Sequence, residues 1–221
     1  MTKRQPESTA PSRQRLDTAT VVRAALDLLD EKGADAVSVR GTAERLGVRM
    51  NTVLWHAKTK GRLLELMADA IVAGISLEGL PGAWAARAGE LARRYRRGLL
   101  AHRDGAVIVA GTYAAEPATL RFADAMIGTL LDGGLDERRA AWTYWSIQYL
   151  ALGLTQEEQA LATETGAHTL TRELAPGAYP ALSRVASHLE DTAFDDRFEF
   201  ALGRILGAPG PPPPIKGRGL K

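Results

Sequence analysis

Twenty-three residues, Ser38 to Lys60 (SVRGTAERLGVRMNTVLWHAKTK), most tightly limit how this chain can fold. Val39, Ala43 and Leu46 share one helical face, and that face stops at Gly47. Glycine suits the left-handed turn that ends a helix, because it has no Cβ to clash. A second short helix is predicted over about Met50–His56, with Val53 and either Leu54 or Trp55 turned inward. Two short helices joined by a tight glycine turn make a helix-turn-helix, whose second helix can lie in a DNA major groove. A helical hairpin buried in an all-α domain has the same pattern, so the neighbouring residues must decide.

Upstream, Val22, Ala25, Leu26 and Leu29 repeat at helical spacing between an N-cap at Asp17 or Thr18 and a stop at Gly33. Ser38 can cap the first helix of the hairpin. Three helices within about 40 residues, the last two short, form the architecture of small DNA-binding heads. Downstream, helices are predicted over about 61–75, 84–101, 117–131, 137–160, 181–189 and 195–206, with AVIVAGTY (106–113) as a short buried one. The fold class is all-α: a three-helix head (16–62) on a helical ligand-binding and dimerisation domain (63–207). Residues 1–15 are read as a disordered basic arm that either tracks phosphates or only solubilises, and 208–221 as a proline-rich disordered tail.

Charge divides the same way. Residues 1–62 carry 12 Lys+Arg against 7 Asp+Glu, net +5, while residues 63–221 carry 16 against 19, net −3. A basic head on a mildly acidic body suggests a polyanion-binding element joined to something else. No run is apolar over the 18 residues of a membrane span, the N-terminus is polar, and there is no cysteine. A cytoplasmic protein that does not enter a membrane is expected.

No constellation argues for catalysis, a metal or a cofactor. The four histidines (56, 102, 168 and 188) are scattered, no serine sits in a nucleophile elbow, and no glycine loop cradles phosphate. His102-Arg103-Asp104 matches the kinase catalytic triplet, but the glycine-rich loop, strand lysine and following asparagine are missing. The cluster Arg93-Arg94-Arg96-Arg97 reads as a solvated helix face rather than a second nucleic-acid surface.

Leu46-Gly47-Val48, Thr52, Trp55-His56, Lys58, Lys60 and Leu63-Leu64 together give the stretch 16–72 a recognisable pattern. It resembles the DNA-binding domain of the TetR family of one-component transcriptional regulators, and most of all its tetracycline-repressor branch, because the Trp-His pair is not general to the family. LLAHRDGA (99–106) and, more loosely, LGLTQEEQ (152–159) extend the resemblance into the body. It implies a homodimer that binds an operator in double-stranded DNA and is released by a small-molecule effector. The dimer would be built from the long middle helix and the last one. In this family the helix after the head transmits ligand state to the DNA helices.

Carried over by position, Arg40 would read guanine from the first hairpin helix, and a guanidinium can pair bidentately with guanine O6 and N7. Met50, Asn51 and Thr52 would face bases, and His56 and Lys60 phosphates; Trp55 and Arg49 complete the candidate DNA-binding set. Leu54 and Val39 stand where that branch has a phosphate-binding tyrosine and a threonine, which favours an alternative reading: a ligand-binding or adaptor dimer with weak DNA affinity. For the effector, Tyr95, Leu99, Val109, Tyr113, Met126, Trp142, Trp145 and Tyr149 are candidate lining. The last three sit on one face of a helix, as a pocket wall or as a core or dimer stripe. Val109 stands where the resemblance would put a histidine ligand for magnesium, and Leu91 where it would put a drug-contacting asparagine. Glu157 matches an acidic residue near that metal. An apolar, aromatic effector is expected rather than magnesium–tetracycline.

Overall fold

The computed structural model describes residues 16–112, 115–162, 174 and 178–207. The arm, the tail, Tyr113 and most of the connection expected over 163–180 lie outside the described residues. Within them all regular structure is helical. The head holds α1 (Thr18–Lys32), a 3-10 turn (Ala34–Ala36), α2 (Val39–Leu46) and α3 (Met50–Ala57). The helix α4 (Lys60–Ala73) leads into the body: α5 (Trp84–Leu100), α6 (Gly105–Ala110), α7 (Pro117–Asp132), α8 (Glu137–Leu161), α9 (Pro180–Leu189) and α10 (Phe194–Ile205). No helix among the described residues is long and apolar enough to cross a membrane.

Local chemistry sets the ends of the head helices. Asp17 accepts from the Thr20 N–H at 2.7 Å, Ser38 from Gly41 at 2.9 Å and Thr59 from Arg62 at 3.0 Å, so α1, α2 and α4 each begin on a side-chain cap. Such a cap contributes about 1 kcal/mol by satisfying an orphan backbone donor. Gly47 ends α2 with φ 64° and ψ 30°, and Val48 N–H then reaches back to Ala43 O at 3.0 Å. That geometry is the left-handed turn the glycine predicts.

One apolar core runs through head and body. Val21, Ala25 and Leu29 of α1 meet Val37, Ala43, Val53 and Ala57, and the same cluster continues through Leu63, Met67 and Ile71 of α4 into Leu91, Leu99, Met126 and Ile147. Because α4 touches both sides, the head is packed on the body as well as tethered to it.

Two polar joints reinforce this packing. At the first, the loop after α5 clasps the end of α1: His102 Nδ1 lies 3.0 Å from Asp30, and Arg103 N–H donates to the same carboxylate at 3.0 Å. Asp104 accepts from the Ala34 N–H at 2.8 Å, capping the 3-10 turn. Gln159 of α8 holds that loop from behind, donating to Leu99 O and His102 O at 3.2 and 2.8 Å. The kinase-like triplet is therefore a head–body clasp. At the second joint, Arg62 of α4 pairs bidentately with Glu116, and Asp69 accepts from the Thr119 N–H and hydroxyl at 2.7 and 3.0 Å. Glu116 and Thr119 both sit at the start of α7.

The arginine cluster of α5 departs from the expected solvated face. Arg96 is buried, stacked 5.3 Å from the Phe198 ring and ion-paired with Glu158 and Asp195. Arg93 forks onto Glu199 at 2.6 and 2.8 Å, and Arg94 holds Ser76 O and Glu78 O. These side chains tie α10 and the α4–α5 loop to α5. With Arg197–Glu157 at 3.0 Å, they seat α10 against α5 and α8.

The first joint rests on Gly33, with φ 81° and ψ 175°, a region open essentially to glycine alone, where an added Cβ would lie 2.8 Å from the Asp104 carboxylate. Gly33→Ala is expected to destabilise the protein by about 1–3 kcal/mol through backbone strain and a disturbed clasp, as measured by urea denaturation.

Candidate nucleic-acid interface and regulatory core

The head shows how α3 divides its residues. Val53 and Ala57 are buried and Leu54 packs against the core, so Leu54 rather than Trp55 is the inward choice. Arg49, Met50, Asn51 and Trp55 are exposed, Thr52 and His56 half-buried. Trp55 is 74% exposed, and Lys58 Nζ lies 4.9 Å from its ring centroid. Lys58 itself has φ 63°, which turns the chain sharply from α3 into α4 and leaves Lys60 exposed at the first position of α4. His56 Nδ1 lies 3.3 Å from the Thr18 hydroxyl, which sets the imidazole against the start of α1.

Arg40 points out from α2 with its side chain 78% exposed, and its Nε donates to Glu44 at 2.8 Å. Glu44 was missed in the sequence, although the i, i+4 spacing of an arginine and a glutamate is a usable signal for such a pair. Arg45, one residue on, reaches across the surface to α1. It forks onto Glu31 at 2.6 and 2.8 Å and so bolts α2 to α1. The eight candidate DNA residues thus belong to α2, α3 with its N-cap Arg49, and the first turn of α4, with six of them exposed and Thr52 and His56 half-buried. Val39, counted as a lost phosphate contact, is instead buried in the head.

In the body the effector candidates separate into two groups. Tyr95, Leu99 and Met126 are buried, and Val109 is half-buried against the same core. Tyr95 stacks on Phe122 with centroids 5.0 Å apart and planes at 25°; Phe122 was not foreseen. Burial pushes the Tyr95 phenol well above its ordinary value, and the neighbouring Tyr144 raises it further. Trp142, Trp145 and Tyr149 go the other way. Trp142 is 59% and Tyr149 67% exposed, so these rings line the outside of α8, away from the buried Tyr95, Leu99 and Met126. Trp145 and Tyr149 stack at 5.7 Å, and the Arg138 guanidinium covers Trp142 at 4.2 Å. Glu157 is also exposed and committed to Arg197. Tyr113 lies outside the described residues.

Comparison with known proteins agrees with this division of the chain. Residues 21–67 match the family model of bacterial regulatory proteins of the tetR family, and residues 78–207 match the tetracyclin repressor-like C-terminal domain. The class A tetracycline repressor protein from transposon 1721 of Escherichia coli is 36% identical over 195 residues, covering 87% of this chain and 89% of that protein. A crystal structure of a possible TetR family transcriptional regulator from Streptomyces coelicolor A3(2) superposes with a TM-score of 0.76 at 38% identity, covering 86% of this chain and 97% of that one. ActR from Streptomyces coelicolor in complex with actinorhodin superposes with a TM-score of 0.78 at 27% identity, covering 87% and 95%. The matched proteins are transcriptional regulators, and this chain, with a helix-turn-helix head and a helical regulatory body, belongs to the TetR family.

Proposed function

We propose that the chain is a homodimeric repressor that binds a palindromic operator through α2 and α3 and is released when a small molecule enters the body. The observation that carries this reading is the outward face of the head. Arg40, Arg49, Met50, Asn51 and Trp55 are exposed together, while α2 is pinned by its Ser38 cap and α3 by the buried Val53 and Ala57. An exposed, preorganised row of donors and cations on a short helix suits a major groove. Arg40 reads guanine once it leaves Glu44. Asn51 and Thr52 meet base edges, Met50 offers an apolar contact, and His56, Arg49 and Lys60 meet phosphates. Trp55 and Lys58 pack against the sugar-phosphate chain.

The partner subunit covers the outer face of α8 and α10. On α8 the exposed rings of Trp142 and Tyr149 alternate with Ser146 and Gly153, and α10 adds Phe200, 51% exposed, with Arg204 stacked on it at 5.3 Å. Large side chains beside small ones at helical spacing are what interlocking helices of a four-helix dimer bundle require. Two heads then meet half-sites about 34–36 Å apart.

Against the adaptor alternative stands a structural use for the two residues that favoured it. Val39 and Leu54 both pack inside the head, where they serve its fold.

Magnesium–tetracycline fits this body poorly. Val109 offers no lone pair to a hard cation, Glu157 is tied to Arg197 on the surface, and no three His, Asp or Glu side chains gather among the described residues. The effector is instead apolar and aromatic, seated beside Tyr95, Leu99, Val109 and Met126.

Selection of operators from random DNA by the intact protein tests the reading directly, and recovery of no palindrome would end it. On the selected operator, Arg40→Ala is expected to lose about 1–3 kcal/mol, with the loss confined to one base pair per half-site. Lys60→Ala should weaken binding across sequences and shallow the slope of log K against log salt by about one unit in each half-site. Tyr149→Arg, which brings like charges together across the proposed two-fold axis, should shift sedimentation from dimer to monomer. Calorimetric titration with magnesium and tetracycline should give no heat of binding.

A further inference from the structure

On its inward side, α8 carries a strip of polar side chains, Tyr144, Gln148, Thr155 and Gln159, at spacings of four, seven and four that keep them on one helical face. The strip looks onto α5 and α6. Tyr144 is close enough to Tyr95 to disfavour its ionisation, and Gln159 reaches Leu99 O, His102 O and the Ala106 N–H.

Two members of the strip are unsatisfied. Gln148 is 5% exposed and Thr155 fully buried, yet Gln148 Nε2 and Thr155 Oγ1 have no hydrogen-bond partner. Thr155 is the more telling. The other buried threonines, Thr42 and Thr129, donate to the carbonyl four residues back at 2.8 Å each, the usual refuge of a helical hydroxyl. Thr155 does not take it. A buried polar group without a partner costs about 1–3 kcal/mol, and two on one strip of one helix call for a common cause.

The charge around them is equally specific. Arg96 is the one buried charged side chain among the described residues; Glu158 and Asp195 pair with its terminal nitrogens, and its Nε has no partner. An anionic ligand in this core would therefore add to two carboxylates that already share one guanidinium. The Tyr95–Phe122 pair supplies a flat apolar face. At its far end Gln159 lines an open cleft of about 310 Å³, with Leu100, His102, Arg103, Asp104, Glu158 and Ala162.

Resting on the effector reading above, we infer that the effector is an uncharged, flat molecule with two hydrogen-bond acceptors, held by donation from Gln148 and Thr155. The two residues are seven apart on α8, so the acceptors lie ~10 Å from one another along the molecule.

The test uses the full-length dimer and three probes of one shape: 2,6-dimethoxyanthraquinone, which is neutral and has acceptors; 2,6-dimethylanthracene, which has none; and anthraquinone-2,6-disulfonate, which is charged. Gln148→Leu and Thr155→Val keep the shape and remove the donors. In the free protein each should raise Tm by about 2–4 °C, because an unpartnered buried group is gone. Each should also weaken the dimethoxyanthraquinone at least ten-fold, and the other two probes should bind the wild type at least ten-fold more weakly than it does. A fall in Tm for both variants would overturn the inference, since the donors would then be satisfied by buried water. So would failure of the neutral probe to bind, equal binding of the hydrocarbon or disulfonate, or unchanged affinity in the variants. If the neutral probe binds as expected but leaves operator affinity unchanged, the ligand class stands and the effector reading fails.

Discussion

Everything in this molecule depends on α4 being packed from both sides. Leu63, Met67 and Ile71 are buried in a cluster that includes Val53 of the recognition helix and Leu91, Leu99 and Met126 of the body. Close-packed interiors do not deform continuously, so a shift of one face of α4 must be answered on the other. The polar joints lie where that answer is set. Arg62 and Asp69 fix α4 to the start of α7, while Asp30 and Ala34 receive the loop before α6. Residues 102–119 are thus attached to the head or to α4 near both ends, with α6 between the attachments. A molecule pressing on α6 has to strain one of these joints.

Charges and neutral polar groups are sorted accordingly. Beside the buried Arg96, which joins Glu158 and Asp195, arginine–carboxylate forks stand at the seams: Arg45 between α1 and α2, Arg62 between α4 and α7, and Arg93 between α5 and α10. The fork geometry matters more than energy at these part-exposed sites, because exposed pairs contribute little while a bidentate pair fixes orientation. Apart from Arg96, the buried polar side chains of the body are amides and hydroxyls, Thr129, Gln148 and Thr155. The result is a frame stiffened by charge around a largely uncharged core.

Much of the frame was legible in the sequence because its signals are local. Asp17, Ser38, Gly33 and Gly47 mark ends of α1 and α2, and the apolar period of each helix gives its buried face. Position in the family pattern gave Arg40 and Lys60, and both are exposed in the structure. What escaped were relations between distant residues. His102-Arg103-Asp104 has no local reason to meet Asp30 and Ala34, some 70 residues earlier, and Arg96 looked like one more solvated cation until Glu158 and Asp195 came to meet it. Phe122 and Gln148 carry no motif at all. They matter because of what faces them, and periodicity does not name the facing residue.

Trp142, Trp145 and Tyr149 show a deeper limit. Spacing of three and four places them on one face of α8 but cannot say which side that face is on, since an aromatic stripe buried in a pocket and one buried in a dimer have the same sequence. The structure resolves this by elimination. Ala140, Ile147, Ala151 and Thr155 already occupy the inward side, and the rings take the other. An exposed patch of this kind is costly to leave in water, and its contents suggest what covers it. Arg138 over Trp142 and Arg204 over Phe200 shield the rings in the monomer, while Ser146 and Gly153 leave room for a neighbour's side chains. The same helix therefore faces two binding problems in the proposed regulator: an outer face that would fit a copy of itself, and an inner strip that would fit the effector. A change at one face can be felt at the other only through the tilt of α8, which Gln159 ties to the clasp at His102.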